Sequence, residues 1–194
     1  LDLGANADCT SEHLFQFAVM GSVVARVTES IPRPRIALLN IGEEDIKGND
    51  VVRDAAARLA AASHINYVGY VEGDSIQDHR ADVVVCDGFS GNVALKSMEG
   101  TAKLIRHFLE QEFRGSVYGH VAGAVAFPVL RSLTRRLDPR RYNGASLVGL
   151  NGIVIKSHGG ADELAFQQAL ATAAVEAEKR VPEQIGALLS EQVQ

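Results

Sequence analysis

Short apolar runs that alternate with longer amphipathic segments constrain the fold of this chain more than any other feature. Residues 35–41 (RIALLNI) and 82–86 (DVVVC) are largely apolar, which is typical of strands covered on both faces of a parallel sheet. Residues 65–71 predict a third strand, and Leu1-Asp2-Leu3 the end of another. Short apolar runs flank Asn151-Gly152, a dipeptide that favours a hairpin turn. We therefore predict an α/β fold, with a mostly parallel sheet wrapped by helices and one β-hairpin.

Capping residues and helical periodicity predict five helices between and after these strands. The first four are expected from the cap Thr10 or Ser11 to about Glu29, from the cap Asp50 to about Ala62, from about Asn92 to Phe113, and from the cap Asp162 to about Arg180. Pro182 opens a short fifth helix, because proline is favoured in a first helical turn.

Composition excludes several classes of protein. The 194 residues are 46% hydrophobic and 22% charged, which suits one well-buried core and argues against a disordered chain. No apolar run approaches the roughly 20 residues that a membrane-spanning helix needs. Cys9 and Cys86 are too few for a disulfide framework and indicate a reducing compartment. A formal net charge of −5 does not favour nucleic-acid binding, so we expect a soluble, cytoplasmic protein with no nucleic-acid partner.

The acidic chain carries one basic segment, residues 114–141. It holds six arginines against a single acidic residue, Asp138, whereas residues 1–112 hold 10 basic and 17 acidic side chains. Residues 117–127 contain no Asp, Glu, Lys or Arg. An apolar stripe then follows at helical spacing, formed by Phe127, Leu130, Leu133 and Leu137. The basic face between these residues is formed by Arg131, Arg135 and Arg136. This division predicts a helical insert that lies on an anionic membrane surface; the alternative is a dimer seam with solvated arginines.

The chain begins inside a predicted core strand, with no preceding element to cover that strand. We therefore expect the chain to be part of a longer one. Any site that needs upstream residues would then be incomplete in these 194 residues.

Two loops follow predicted strands and lead into helices, which is where ligands bind in open α/β sheets. The first, residues 42–49, places Lys47 just before a helix N-terminus, and the two together attract an anion. Lys47 is the only lysine among the first 95 residues. The alternative is a solvated lysine that offsets the acidic residues Glu43, Glu44 and Asp45 of the same loop.

The second loop, residues 87–92 (DGFSGN), opens the long helix. Its two glycines let backbone N–H groups approach a ligand, and Ser90 and Asn92 add side-chain donors. The pattern is neither a Walker A loop nor GxGxxG, and the alternative is a tight turn in which Ser90 is the N-cap. His158 follows a predicted strand and could orient a substrate or act as an acid or base, although a lone loop histidine is more often structural.

The sequence contains no signature of metal or covalent chemistry. Cys9 and Cys86 have no CxxC partners, and the six histidines show neither HxxxH nor HExxH spacing. No GxSxG or Cys/His pattern indicates a nucleophile. What remains is a site of hydrogen-bond donors and positive charge, suited to binding an anion and stabilising a developing oxyanion.

Four motifs of this chain resemble one known family. LDLGANADC at 1–9, NIGEEDIKGN at 40–49, CDGFSGNVALK at 86–96 and YNGASLVGLNGIVIKSHG at 142–159 together resemble the PlsX family of bacterial phosphate:acyl-[acyl carrier protein] acyltransferases. The motifs occur in order, and the resemblance covers essentially the whole chain. It implies that residues 1–194 are the C-terminal part of a single α/β acyltransferase domain, without its N-terminal part.

The resemblance implies a Rossmann-like α/β/α fold, similar to phosphotransacetylases and to isocitrate and isopropylmalate dehydrogenases. It implies transfer of a long acyl chain from acyl carrier protein to inorganic phosphate, giving acyl-phosphate for phospholipid synthesis with no metal or other cofactor. Lys47 and Asn92 match the family's active-site lysine and asparagine; Lys47 would hold phosphate and Asn92 the carbonyl oxygen, or the reverse. Further candidate substrate- or phosphate-binding residues are Asn6, Asp87, Gly88, Ser90, Gly91 and His158.

Partners, location and alternatives follow from these interpretations. The product would pass to a downstream membrane acyltransferase, so we expect a cytoplasmic homodimer that binds the membrane surface peripherally. Two other functions stay open: a short-chain phosphate acyltransferase that uses coenzyme A, and a catalytically inactive fragment that only contacts a membrane or a second copy. A dehydrogenase of related fold would need a carboxylate cluster for a divalent metal, which these loops do not supply.

Overall fold

The structure, a computed structural model, describes residues 1–136 and 138–190. Leu137 and the side chain of Arg136, both part of the predicted membrane stripe, lie outside what it describes. The elements in chain order are α1 (Ser11–Thr28), β1 (Arg35–Leu39), α2 (Asp50–Ala61), β2 (Asn66–Val71), β3 (Val83–Val85), α3 (Gly88–Arg114), α4 (Val117–Arg136), a 3₁₀ turn (Pro139–Tyr142), β4 (Ala145–Ser146), β5 (Ile155–Lys156), α5 (Glu163–Glu178) and α6 (Val181–Ser190).

The main sheet has three parallel strands in the order β2-β1-β3, so that β1 is central. The first residue continues this sheet beyond β3. The Leu1 amino group donates to the Val84 carbonyl (2.9 Å), and the Cys86 N–H donates to the Leu1 carbonyl (2.8 Å). This is the hydrogen-bond pattern of a parallel ladder, although residues 1–3 form no strand of their own. The predicted α/β fold with a parallel sheet and flanking helices is confirmed.

The hydrophobic core combines this sheet with helices α1, α2 and α6. Apolar residues recur on α1 at helical spacing, so that one face of α1 enters the core. The largest fully buried side chains are Leu14, Val19, Val23, Ile36, Leu38, Leu59, Val71, Val85 and Val181. Each contributes about 1.5–3 kcal/mol by leaving water, and together they hold the loops that leave the sheet.

The predicted helices form, with boundaries within four residues of those expected. Thr10 caps α1 by accepting from the His13 N–H (3.2 Å), and Asp162 caps α5 by accepting from the Ala165 N–H (3.0 Å). Within residues 1–136 and 138–190, no helix is long and apolar enough to cross a membrane.

The hairpin around Asn151-Gly152 forms, but not with a tight turn. Its strands β4 and β5 pair over two residues each, which is shorter than the predicted runs at 146–150 and 153–156. Gly149 has a φ of +87°, and a Cβ there would lie 3.0 Å from the Met20 Sδ on α1. One further hydrogen bond, from the Leu147 N–H to the Val154 carbonyl (2.9 Å), extends the pairing, and the predicted turn lies in the longer loop beyond it.

The basic segment forms the second helix of a pair, α3 and α4. A Cβ on Gly119, in the first turn of α4, would lie 2.4 Å from the Glu112 carbonyl oxygen of α3, so the helices approach closely at their corner. α4 continues through Pro128, although proline removes one helical hydrogen bond. The pair exposes large apolar side chains, among them Leu104, Ile105, Phe108 and Leu109 on α3 and Val117, Tyr118, Val121, Val125, Phe127, Val129 and Leu133 on α4.

Candidate active site at the carboxyl edge of the sheet

Three chain segments leave the sheet at the same edge. The carboxyl ends of parallel strands meet there, and ligands of open α/β folds bind in the crevice outside them. The segments are residues 3–9, residues 40–49 after β1, and residues 86–87 after β3. Because β1 and β3 are neighbours, the loop that carries Lys47 and the helix that carries Asn92 start side by side.

Buried Asn40 holds the Lys47 loop in shape. Its backbone N–H donates to the Val71 carbonyl (3.0 Å), and its Nδ2 donates to the carbonyls of Gly42 (3.0 Å) and Lys47 (3.4 Å). Gly48 has a φ of +85°, and a Cβ there would lie 2.2 Å from the Asn40 Oδ1, so only glycine fits. Sequence reasoning missed Asn40, although a polar residue at the end of an apolar run is a usable signal.

The Lys47 side chain is exposed and belongs to none of the ion pairs among the described residues. Of the three acidic residues that the alternative sets against Lys47, Glu43 pairs instead with Arg80, and Glu44 and Asp45 belong to none of the ion pairs among the described residues. The loop therefore presents an ammonium group that an anion can approach.

Asn49 rather than Asp50 is the N-cap of α2, so the prediction of Asp50 was wrong. Asn49 has an extended backbone (φ −87°, ψ 170°) and accepts from the Val52 N–H (2.9 Å), whereas Asp50 is already helical. The first N–H groups of a helix have no intrahelical partner. Those of Asp50 and Val51 follow the Lys47 loop directly, and free N–H groups at a helix start favour an anion.

Residues 87–92 do not form a separate loop. They are the N-cap and first turns of α3, which begins at Gly88 rather than near Asn92. Asp87 is the N-cap, and its carboxylate accepts from the Ser90 N–H (2.7 Å) and from the Ser90 Oγ–H (2.9 Å). The alternative in which Ser90 is the cap is wrong, because Asp87 has the extended backbone that a cap needs and Ser90 is helical.

Two glycines let the start of α3 pack against the first residues of the chain. The Gly88 N–H donates to the Asn6 carbonyl (2.7 Å), and a Cβ on Gly88 would lie 2.6 Å from that oxygen. A Cβ on Gly91 would lie 1.8 Å from the Asp2 carbonyl oxygen. The glycines therefore serve a contact between backbone segments, and the Gly88 N–H is already used.

Asn92 lies on the exposed side of α3, beside the loop of residues 3–6. Gly4 has a φ of +126°, and a Cβ there would lie 3.5 Å from the Asn92 Cβ. Asn6 is also exposed, and its Nδ2 donates to the Asp2 carboxylate (2.8 Å). Among the described residues no hydrogen bond engages the Asn92 amide, so both of its N–H donors are free, whereas the Asn6 amide uses one of its two on Asp2.

His158 lies in the loop after β5 and is held by Asn143. Its N–H donates to the Asn143 Oδ1 (2.9 Å), while the backbone N–H two residues later donates to its Nδ1 (3.1 Å). A neutral ring therefore carries its proton on Nε2. The hydrogen bond and charge of Lys96 lower the pKa of Glu99 on α3, with smaller contributions from Lys103 and His158.

Both cysteines lie near this edge as neutral thiols. Burial raises the pKa of Cys86 and of Cys9. The Cys86 thiol donates to the Asp2 carbonyl (3.4 Å), and the Cys9 thiol to the Asn6 carbonyl (3.5 Å). A neutral thiol is a poor nucleophile. Within the described ranges, no three His, Cys, Asp or Glu side chains are grouped to hold a metal ion.

Comparison with known proteins agrees with the four motifs. A family model described as fatty acid synthesis protein matches residues 1–184. The chain is 62% identical over 95% of its length to a phosphate acyltransferase of Alkalilimnicola ehrlichii, and 59% identical over 96% to one of Halorhodospira halophila. A phosphate acyltransferase of Methylococcus capsulatus is 58% identical over 96% of the chain.

These relatives are longer proteins. The match covers 54%, 54% and 55% of them, respectively, so the chain spans about half the length of the curated relatives it matches. The match to the family model nevertheless runs through all three segments of the carboxyl edge. The chain therefore belongs to the fatty acid synthesis protein family, the PlsX family that its motifs indicate.

Proposed function

We propose that this chain forms part of the active site of a phosphate acyltransferase, which transfers a long acyl chain from acyl carrier protein to inorganic phosphate for phospholipid synthesis. One observation carries the proposal: the loop with Lys47 and the first turns of α3 with Asn92 leave neighbouring parallel strands at one edge. The names of the relatives support the reaction, and the resemblance to the PlsX family supports acyl carrier protein as the donor.

The reaction needs positioning and charge stabilisation rather than a protein nucleophile. A phosphate oxygen attacks the thioester carbonyl carbon, so that a C–O bond forms and negative charge builds on the carbonyl oxygen. The C–S bond then breaks, the carbonyl re-forms, and the leaving thiolate takes up a proton from solvent. Because a thiolate is a good leaving group, holding phosphate in line supplies much of the rate.

The contacts favour Lys47 for phosphate and Asn92 for the carbonyl oxygen. At α2, a positive charge and two N–H groups without intrahelical partners can act on one anion. At α3, the Ser90 N–H is bonded to the Asp87 carboxylate, whose negative charge opposes a phosphate there. A neutral carbonyl oxygen meets less repulsion at α3, and the Asn92 amide can donate to it as charge develops.

Lys47→Ala and Asn92→Ala in the full-length protein test the proposal. Both side chains are exposed, so the fold should persist, and acyl-phosphate formation should fall about 10²-fold or more, the scale of losing one transition-state donor. Lys179→Ala and Asn151→Ala remove the same groups from exposed positions outside the edge and should keep wild-type turnover. Near-wild-type turnover in both site variants would remove the assignment.

Substrate competition separates the proposal from its alternatives. Long-chain acyl-[acyl carrier protein] should be used well and short acyl-coenzyme A poorly; the reverse preference would indicate the coenzyme A enzyme. If Lys47 holds phosphate, Lys47→Ala should raise the KM for phosphate more than Asn92→Ala does. Assaying the 194 residues beside the full-length protein tests the inactive-fragment alternative.

The proposal extends to a homodimer that binds the membrane peripherally. Extended apolar surface, such as the α3–α4 pair exposes, usually marks an interface, and a two-fold dimer is the commonest assembly. On α4, Phe127, Leu133, Arg131 and Arg135 are exposed, whereas Leu130 is partly covered. A helix with exposed apolar and basic side chains suits an anionic lipid surface, where a long-chain acyl-phosphate is best released to a membrane acyltransferase.

A further inference from the structure

A buried carboxylate lies beside the candidate active site. The Asp2 residue is 4% exposed, and its two oxygens accept four hydrogen bonds from the residues that follow. Oδ1 accepts from the N–H groups of Gly4 (2.7 Å) and Ala5 (2.8 Å), and Oδ2 accepts from the N–H (2.7 Å) and the Nδ2 (2.8 Å) of Asn6. The loop of residues 3–6 is thus wrapped around one side chain.

The charge on Asp2 strengthens this wrapping. Burial alone would raise the pKa of Asp2. The hydrogen bonds from Ala5, Asn6 and Gly4 lower the pKa by more than burial raises it, so the pKa lies below the ordinary carboxyl value. The carboxylate is therefore ionised at neutral pH, and hydrogen bonds to an ionised acceptor are about twice as strong as neutral ones. Convergent backbone N–H groups of this kind hold a negative charge well.

The wrapped loop packs tightly against α3 at Gly88 and Gly91. The Asn6 carbonyl accepts from the N–H of Gly88, the first residue of α3 (2.7 Å). The Asp2 carbonyl oxygen lies so close to Gly91 that a Cβ built there would be only 1.8 Å from it. Gly4 lies beside Asn92, with 3.5 Å between the Asn92 Cβ and a Cβ built on Gly4. A change in the loop therefore changes the wall, the surface of residues 3–6 that faces the Asn92 side chain.

We propose that Asp2 is a positioning residue: its carboxylate folds residues 3–6 into the wall that orients Asn92. The inference rests on the proposed function, since it names what aims the donor of that reaction. Asp2 touches no reacting atom and acts through Gly4 and Asn92. Orientation matters because a displacement of about 1 Å in a catalytic group can cost on the order of 10²-fold in rate.

Asp2→Asn in the full-length protein is the direct test. The amide keeps the shape of the side chain but turns one acceptor oxygen into an NH₂ group, so two of the four donors lose their acceptor. We expect kcat to fall about 10- to 100-fold, with the KM for phosphate little changed. Glu176→Gln is the matched control, because Glu176 is 2% exposed and bonds Ser146 instead; its kcat should stay at the wild-type value.

A double variant separates positioning from an independent structural effect. If Asp2 acts through Asn92, adding Asp2→Asn to Asn92→Ala should cost less than about 2-fold, whereas independent effects multiply. Multiplying losses, or an unchanged kcat in Asp2→Asn alone, would overturn the inference. Gly4→Ala keeps the carboxylate but adds a Cβ at a φ of +126° beside Asn92, so it should show the same pattern if Asp2→Asn fails to fold.

A measurement that does not depend on enzymatic turnover separates this inference from the proposed function. The side-chain amide NMR signals of Asn92 should shift or broaden in Asp2→Asn and stay unchanged in Glu176→Gln. If they shift while Asn92→Ala is fully active, the proposed function fails and the positioning by Asp2 stands. If they stay in place in Asp2→Asn, the inference is wrong whatever the activity.

Discussion

At the residue scale, Asp82 ties the start of β1 to the start of β3. Its Oδ2 accepts from the Arg35 N–H (2.7 Å) and Nε (3.1 Å), and its Oδ1 accepts from Nη2 (2.9 Å). These hydrogen bonds from Arg35 lower the pKa of Asp82. The side chains are 17% and 43% exposed for Asp82 and Arg35, so water weakens the pair without removing it.

Asp82→Asn should lower the free energy of unfolding at pH 7 by on the order of 1 kcal/mol, because the amide loses the charged two-pronged contact with Arg35. A lowered folded pKa means that this stabilisation is fully present above the unfolded value of 3.8 and is lost as pH falls through the folded value. In urea unfolding, the difference in free energy of unfolding between the wild type and Asp82→Asn should shrink as the pH falls below 3.8. The control Asp54→Asn, on an exposed part of α2, should show neither effect. A stability difference between the wild type and Asp82→Asn that does not change with pH would contradict the prediction.

At the scale of elements, α4 combines exposed apolar side chains with arginines, as its sequence pattern predicts. Gly119, Gly123, Ala126 and Leu130 are partly covered, and Gly123 lies close to Phe113 of α3. The leucine stripe is therefore divided, because Leu130 is on the covered side whereas Leu133 is 49% exposed. What α4 offers to a membrane is the exposed apolar residues together with the arginines between them.

Arg131→Glu combined with Arg135→Glu should weaken binding to anionic vesicles by at least about tenfold at low salt, because each arginine near such a surface contributes on the order of 1 kcal/mol. Wild-type binding should be reversible, stronger on anionic than on zwitterionic vesicles, and weaker at high salt in flotation assays. Lys179→Glu combined with Arg180→Glu makes the same charge change beyond α5 and should bind normally. Binding that ignores lipid charge and both pairs of substitutions would reduce α4 to a subunit contact.

At the scale of the whole molecule, exposed apolar residues are concentrated on the α3–α4 pair, while β1 is buried within the core. Phe108 on α3 and Phe166 on α5 are each 55% exposed. They form a matched pair: the same side chain at the same exposure, one on the proposed dimer surface and one outside it.

Phe108→Asp should shift the full-length protein from dimer to monomer at micromolar concentration, because a charge is costly in an apolar interface. Phe166→Asp should leave the dimer intact. Light scattering with a concentration series measures both, and sedimentation gives an independent check. A wild-type protein that is monomeric at micromolar concentration would remove the dimer proposal.

The local sequence is sufficient to predict most of the helices and strands. The apolar runs became β1, β2 and β3, and Thr10 and Asp162 cap helices where the sequence places them, because strands and caps depend on neighbouring residues. Where two adjacent residues could both cap a helix, as Asn49 and Asp50 can, the pattern cannot choose between them. The backbone decided, since only Asn49 is extended.

The site depends on contacts that no local pattern contains. The residue pattern and the family resemblance single out Lys47 and Asn92, but the sequence does not indicate that Asn40 shapes the lysine loop or that Asp2 folds the wall beside Asn92. Asp2 meets α3 only because the chain start pairs with β3 more than 80 residues away. The amino-acid sequence thus determined the parallel α/β architecture and the donor groups. Only the tertiary structure decided that the Gly88 N–H is already used, because the Asn6 carbonyl reaches it through a contact between segments more than 80 residues apart.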